Sequence, residues 1–253
     1  MARLRITAEA VTDTGLSRSE NQDCLLVRIG EGPWGDFGLF VVADGMGGAA
    51  GGQQAARMAV QACEDWWNKE LSEAYLVRPE STLSLVCQSL GLRLDRLNRE
   101  VGALGKALQA RTGTTLSALF VTAAGYGLLH VGDSRVYSVA GSLRQLTADD
   151  TYVAEQLRRG SLSTVQARNH PMSHVLLRCI GAPGELRLQQ SVGPAADSAF
   201  LLCSDGYYQT LSDEELRYSA LRGGVGLAEA VGLIYERGAP DNLTAITVTL
   251  KRE

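Results

Sequence analysis

The sequence predicts an α+β domain with antiparallel sheets flanked by helices. Strand-like segments open the chain, two helical stretches follow, and a second block of strands comes after them, which is typical of this fold class. Short glycine-rich or polar turns join the strands of the second block and favour antiparallel pairing. A chain of 253 residues without an internal repeat or a Pro/Ser-rich linker indicates one domain over residues 1–253.

The first half of the chain contributes three strands and two helices. The strand segments LRITAEAVTD, CLLVRI and FGLFVVA span residues 4–13, 24–29 and 37–43. The first helix is predicted from about Gln53 to Leu71. The second helix carries one apolar stripe at steps of three and four residues, formed by Leu83, Val86, Leu90, Leu94, Leu97 and Val101. Such stripes usually pack on a sheet, and we expect both helices to do so.

The second half returns to strands, with one interruption. Residues 112–147 contain four strand segments separated by short turns. From about Asp149 to His174 the apolar density falls, and we expect small helices and loops over the surface there. The strand segments ELRLQQSV and SAFLLCSD, a helix near Gly224 to Arg237 and a last strand, LTAITVTL, complete the chain.

The bulk composition argues against several classes of protein. The formal charge of −4 gives no reason to expect a nucleic-acid partner, which usually needs a basic patch. The five scattered cysteines lack zinc-binding spacing and suit buried thiols in a reducing cytosol. No stretch of signal-peptide length begins the chain, and nowhere do about eighteen apolar residues run together. We therefore expect a cytoplasmic protein without membrane insertion.

Five aspartates lie at the margins of predicted strands. They are Asp23 in ENQDCLL, Asp44 in LFVVADG, Asp133 in LLHVGDSR, Asp205 in AFLLCSDG and Asp241 in GAPDNLTAI. A single aspartate in such a place is usually a turn former or a helix cap. Several carboxylates brought together repel one another, and a divalent cation would offset that repulsion. Oxygen ligands without His or Cys suit Mg²⁺, Mn²⁺ or Ca²⁺.

The segment FGLFVVADGMGGAAGG has the layout of a dinucleotide-binding loop, because a strand, glycines and a helix follow one another. An acid at the strand end would repel a pyrophosphate, however, and glycines at 45 and 47 would need a third at position 50, which is Ala. No Gly-Lys-Ser/Thr follows, which excludes a Walker loop. We therefore expect Asp44 to hold metal and Gly45 to turn the backbone so that its carbonyl can join.

A divalent-metal cluster indicates hydrolytic or phosphoryl chemistry, because two metals can lower the pKa of a bridging water and stabilise the attacking oxygen. Arg18, in TDTGLSRSENQD, is the candidate phosphate clamp, since its guanidinium matches two phosphate oxygens. An arginine in a polar turn is more often simply solvated. The assignment depends on its position five residues before Asp23.

Seven segments follow one another nearly from end to end of the chain: TDTGLSRSENQD, VVADGMGG, RTGTTLSALFV, HVGDSRVYSV, HPMSHVLLRCIG, LLCSDG and GAPDNLTAITV. In order and spacing they resemble the metal-dependent Ser/Thr protein phosphatases of the PP2C (PPM) family, in its bacterial form. The resemblance implies a central antiparallel β-sandwich flanked by helices on both sides, with a metal centre at one end. It also implies a flap beside the active site, at about residues 150–175.

The resemblance further implies a role for each residue of the metal centre. Asp44 would bridge two Mn²⁺ or Mg²⁺ ions, and the carbonyl of Gly45 would be a ligand. Asp205 and Asp241 would complete the metal set, and Asp23 would hold water molecules of the ions. The bridging water would attack phosphorus directly, without a phosphoenzyme.

The substrate side of the reaction is implied in the same way. Arg18 would bind the substrate phosphate, and Asp133 matches the aspartate that holds a third metal ion in the family. The implied substrates are proteins phosphorylated on serine or threonine, and the implied partners are a bacterial Ser/Thr kinase and its targets in signalling. We expect the phosphatase to be a monomer.

Several positions depart from the family pattern or offer an alternative. Gln22 stands where many members have Glu, and Gln209 where many have an Asp linked to the third metal, which weakens that site. Met46 stands where animal members have a His thought to act as general acid, so the leaving group must be protonated from elsewhere, such as by a water. His170 and His174 are four apart, but a proline lies between them and no acid accompanies them, so we interpret His170 as structural.

Two other functions are weighed against the phosphatase. A catalytically weak relative, acting as a regulatory or phosphoprotein-binding module, would have lost metal ligands, whereas Asp44, Asp205 and Asp241 are all present. A nucleotide-binding enzyme is opposed by the acid at the strand end and by the glycine spacing. Metal affinity would distinguish the first alternative, and thermal stabilisation by nucleotide without metal would support the second.

Overall fold

The computed structural model describes residues 3–47, 51–71, 79–168, 170–194 and 199–253. Residues 48–50 of the glycine-rich segment, residue 169 of the predicted flap and residue 198 of the segment SAFLLCSD lie outside them. All the residues predicted for the metal centre lie within the described ranges.

The strands of the described residues form one hydrogen-bonded sheet. They are β1 (Leu4–Asp13), β2 (Asp23–Gly32), β3 (Gly35–Gly47), β4 (Thr112–Thr114), β5 (Leu116–Thr122), β6 (Gly125–Val131), β7 (Arg135–Val139), β8 (Leu143–Gln145), β9 (Gln189–Gly193), β10 (Ala199–Cys203) and β11 (Leu243–Arg252). Their order is β8-β7-β10-β11-β1-β3-β5-β6-β9, and β2 and β4 also pair with β3. The pairing is antiparallel except between β1 and β3, where a single parallel bridge joins Leu4 to Gly35. That bridge divides the sheet into two halves. One half contains β1, β7, β8, β10 and β11, and the other contains β2 to β6 and β9.

The two halves pack face to face, as the alternation of side chains along the central strands shows. In β3, Phe40 and Val42 belong to an inner core shared with β1, β5, β10 and β11. Their neighbours Val41 and Ala43 point the other way and pack into an outer core with two helices. Successive side chains of a strand face opposite sides, so each half of the sheet is covered on both faces.

The helices cover the outer faces of this sandwich. They are α1 (Gly51–Lys69), α2 (Pro79–Leu108), α3 (Tyr152–Arg158), α4 (Thr164–Arg168), α5 (Asp205–Tyr208) and α6 (Asp213–Glu236). Helices α1 and α2 pack on the half that contains β3, through buried side chains such as Trp66 and Leu94. Helix α6 packs on the half that contains β10, through Leu227 and Ile234. The prediction of an α+β sandwich with helices on both sides is confirmed.

Helix α6 consists of two helical segments that meet at a kink at Gly223, and the first of them begins at Asp213. A capping box starts it: the Ser212 hydroxyl accepts a hydrogen bond from the Glu215 N–H, and the Glu215 carboxylate accepts one from the Ser212 N–H. Gly223, at φ +56° and ψ −135°, is not helical and separates the two segments. The predicted helix, from near Gly224 to Arg237, corresponds to the second segment, whereas the first segment was not predicted.

Candidate metal centre

Four of the five predicted aspartates line one cavity of about 420 Å³. They are Asp44, Asp133, Asp205 and Asp241, and Arg18 lines the same cavity. The fifth aspartate is buried immediately behind them. The fold therefore brings together side chains from five separate segments of the chain.

Antiparallel pairing explains why these aspartates meet at one edge of the sandwich. Asp23 opens β2 directly opposite Asp44 in β3. Asp205 follows the end of β10, and Asp241 precedes the start of its antiparallel neighbour β11, so the two lie at the same edge. Asp133 lies in the turn between β6 and β7.

Asp23 is a buried carboxylate with one unpartnered oxygen. Its Oδ2 accepts a hydrogen bond of 2.7 Å from the Ser204 hydroxyl, whose oxygen in turn accepts one of 2.9 Å from the Thr244 N–H. Its Oδ1 is buried and has no hydrogen-bond partner among the described groups. Burial raises the pKa of Asp23 to about 7. A buried carboxylate oxygen without a donor indicates a position that a proton or a cation would fill.

The cluster as a whole carries more negative charge than the protein around it neutralises. Burial raises the pKa of Asp44 well above its usual range, and the charge of Asp23 adds to the effect. Burial and then the charge of Asp205 raise the pKa of Asp133 to about 8. The pKa of Asp205 is raised by burial and by Asp241. Oxygen donors are the ligands that Mg²⁺ or Mn²⁺ prefers, so the chemistry of the residues present fits such ions.

Arg18 forms a bidentate ion pair with Asp241 through one edge of its guanidinium. Its Nε–H donates to Oδ1 and its Nη2–H to Oδ2, each at 2.7 Å. Among the described residues no three His, Cys, Asp or Glu side chains already form a group that could hold a metal ion. In this conformation both oxygens of Asp241 are engaged by the arginine. Arg18 thus lines the cavity that contains the predicted aspartates, and its guanidinium is paired there with the carboxylate of Asp241.

A side chain at position 45 would not fit, because the first turn of α1 packs against Gly45. A Cβ at Gly45 would lie 2.2 Å from the carbonyl oxygen of Gly52 and 2.7 Å from that of Gln22. The sequence analysis attributes this glycine to a turn of the backbone that brings its carbonyl to a metal ion, and the structure adds a close contact between two backbone segments. The role of its carbonyl as a metal ligand stays a prediction.

Asn242 organises the loop that carries Arg18, and the sequence analysis does not identify it. Its Nδ2 donates to the carbonyl oxygens of Thr14 at 2.8 Å and Glu20 at 3.0 Å, and its Oδ1 accepts from the Gln22 N–H at 2.9 Å. The side chain of Gln22 donates to the carboxylate of Glu20. The sequence did offer a signal, because Asn242 directly precedes an apolar strand. A buried asparagine needs several hydrogen-bond partners for its side-chain amide.

The positions that depart from the family pattern lie in or beside the cavity. Met46 and His174 line it, and Gln209 donates from its Nε2 to the Asp205 carboxylate at 2.9 Å. The Nδ1 of His170 accepts a hydrogen bond of 3.1 Å from the Met172 N–H, inside the predicted flap. His174 lines the cavity from the end of the predicted flap, which the sequence analysis does not anticipate.

Comparisons with known proteins show which family the chain resembles in sequence and fold. The profile described as "Protein phosphatase 2C" matches residues 17–236. A serine/threonine phosphatase stp from Listeria monocytogenes is 31% identical over 249 residues, covering 95% of this chain and 94% of that protein. The S. agalactiae serine/threonine phosphatase superposes with a TM-score of 0.83 at 27% identity, covering 97% of this chain and 99% of the other. The catalytic domain of the phosphatase PstP in complex with two manganese ions superposes with a TM-score of 0.76 at 27% identity, covering 98% and 99%.

Proposed function

Because this chain belongs to the protein phosphatase 2C family and is a metal-dependent protein serine/threonine phosphatase, we propose that its five aspartates form the metal centre for that hydrolysis. The observation that carries the proposal is the unpartnered buried Oδ1 of Asp23, which lies opposite Asp44 in a cluster of mutually repelling carboxylates. The structural neighbour with two manganese ions supports two ions of that kind here.

Each residue of the proposed metal centre would have its own role. Asp44 would bind both cations, the carbonyl of Gly45 would be a further ligand, Asp205 and Asp241 would complete the set, and Asp23 would hold the waters of the ions. When bound, two such cations lower the pKa of a water and neutralise phosphate charge. Asp241 would exchange its contact with Arg18 for a contact with a cation. That exchange would release the guanidinium for the substrate phosphate.

Asp133 is the candidate for a third and weaker ion. Its carboxylate lines the same cavity, and the charge of Asp205 contributes to its raised pKa. Gln209 contributes an amide and no charge beside Asp205. Mg²⁺ and Mn²⁺ both suit the donor set.

We expect Arg18→Ala to raise KM for a phosphothreonine peptide by about 10- to 100-fold, because a bidentate, charged contact to phosphate is lost. The kcat should change little. The variant also lacks the guanidinium that is bound to Asp241, so it should bind Mn²⁺ more tightly, as measured by isothermal titration. Arg18→Lys keeps the positive charge but cannot form a bidentate contact, so its KM should lie between those of Arg18→Ala and the unaltered protein. An unchanged KM in Arg18→Ala would remove Arg18 from the phosphate site.

The partners of the reaction follow from its chemistry. The substrates would be proteins phosphorylated by a Ser/Thr kinase, on which this chain would act as a monomer in the cytoplasm. The five cysteines are all free, which fits a reducing compartment. Among the described residues, no helix has the length and apolar character needed to span a bilayer. The regulatory-module alternative is not favoured, because the relatives are named as phosphatases and the metal aspartates are all present.

The test is phosphate release from a phosphothreonine peptide, measured with Mn²⁺ and again after addition of EDTA. We expect release that requires Mn²⁺, stops with the chelator and returns when excess Mn²⁺ is added. Folded protein that binds Mn²⁺ but releases no phosphate would contradict the proposed activity. In that case Gln22 and Gln209 would be the first positions to restore to acids.

A further inference from the structure

A groove continues from the catalytic cavity across the surface. It has a volume of about 890 Å³ and lies between the C-terminal part of α2, strand β4 and residues 176–184. Met46 and Leu176 line both the groove and the catalytic cavity. A polypeptide with one side chain in the cavity would therefore pass directly into this groove.

The groove is lined by three basic side chains. Arg99 and Lys106 project from α2, and Arg111 lies between α2 and β4. All three are exposed, and none forms an ion pair with another described residue. Within the described part of the chain, no Asp or Glu is found among the residues that line the groove.

The positive charge of this groove contrasts with the net charge of the whole chain. The chain has a formal net charge of −4, and most other arginines with contacts in the described residues are bound to carboxylates, as Arg135 is to Asp149. Cations without a partner inside the protein are free to pair with charges of a ligand. A groove of one sign attracts a ligand of the other.

We propose that this basic groove binds acidic side chains of the substrate that flank the phosphorylated residue, so that the enzyme selects phosphorylation sites in acidic sequences. The proposal rests on the proposed function, because it takes the phosphate to lie in the neighbouring metal centre. The groove contributes selection among substrates and takes no part in the hydrolysis. Arg99, Lys106 and Arg111 are in this sense specificity residues.

The test compares three phosphothreonine peptides with the small substrate p-nitrophenyl phosphate. One peptide has neutral flanking residues, one has three acids before the phosphothreonine and one has three acids after it. The triple variant Arg99→Glu, Lys106→Glu, Arg111→Glu is compared with the unaltered protein. A matched control is Arg217→Glu, an exposed position on α6 at the other face of the sandwich.

We expect kcat/KM of the unaltered enzyme to be about 10-fold higher for at least one acidic peptide than for the neutral one, since each exposed charge pair contributes about a 2- to 5-fold factor. The triple variant should lose or invert this preference and should leave p-nitrophenyl phosphate hydrolysis unchanged. Arg217→Glu should retain the preference. Raising the salt concentration to about 0.5 M should reduce the preference in the unaltered enzyme.

Equal kcat/KM for the three peptides, or a preference that survives in the triple variant, would overturn the groove assignment. Those results would leave the proposed phosphatase activity intact, because the neutral peptide and p-nitrophenyl phosphate report on that activity separately. Absence of hydrolysis of every substrate would instead count against the proposed function. The two failures are therefore distinguishable in one set of assays.

Discussion

Asp44→Asn is expected to lower kcat for a phosphothreonine peptide by about a thousandfold or more, because the proposed site would lose the carboxylate shared by both cations. The fold should not change. The backbone of Asp44 is held by groups other than its side chain: its N–H donates to the Thr115 hydroxyl, and its carbonyl accepts from the Thr115 N–H at 2.9 Å and the Thr114 hydroxyl at 3.0 Å. Asn has the same shape, so these contacts survive.

The measurements for Asp44→Asn are the rate of phosphate release, the number of bound Mn²⁺ ions and the thermal midpoint. We expect fewer bound Mn²⁺ ions and a midpoint in EDTA at least as high as that of the unaltered protein, since one repelling charge is gone. Asp95→Asn, on α2 outside the cavity, is the matched control and should behave as the unaltered protein does. Near-normal turnover by Asp44→Asn with two bound Mn²⁺ would contradict the metal assignment.

The strands were predictable from alternation where one face is more buried, as in β1, and from a continuous apolar run where both faces are buried, as in β5 and β10. Strand β1 spans Leu4–Asp13, as the segment LRITAEAVTD predicts, and its inward side chains Leu4 and Ile6 are buried. The first segment of helix α6 was missed, although the capping box of Ser212 and Glu215 is a local signal. The contact that holds the kink was not predictable. The N–H of Gly224, freed at the kink, donates to the carboxylate of Glu9, which lies far away in the chain. A contact of that range leaves no signal near the helix.

The candidate site was predictable to the extent that its residues lie at strand ends. Strand order then decides which ends meet, and that information is not present in any one segment. The pair between Arg18 and Asp241 joins residues 223 positions apart, so sequence reasoning could place Arg18 near the site but not against an aspartate. Asn242 was missed for the same reason, since its partners lie at the start of the chain.

The metal-free protein is expected to lose stability as the pH rises from about 5 to about 8. The pKa values of Asp23 and Asp133 are raised to about 7 and about 8 in the folded state, from an ordinary value of 3.8. Over that range the folded protein retains protons that the unfolded chain has released, so the free energy of unfolding falls with pH. Raising one carboxylate pKa from about 4 to about 7 corresponds to about 4 kcal/mol. We expect a decrease of about 3 kcal/mol or more.

The measurement is urea unfolding in EDTA at pH 5.5 and at pH 8, repeated with saturating Mn²⁺. Bound cations stabilise the ionised carboxylates, so Mn²⁺ should abolish or reverse the decrease. Asp23→Asn can still accept the hydrogen bond from Ser204 and removes the buried charge. It should therefore be more stable than the unaltered protein at pH 8 in EDTA and less stabilised by Mn²⁺. Asp95→Asn should keep the full pH dependence. Equal stability of the metal-free protein at the two pH values would show that the aspartates are not held apart from solvent, and the argument for a preformed cation site would fail with it.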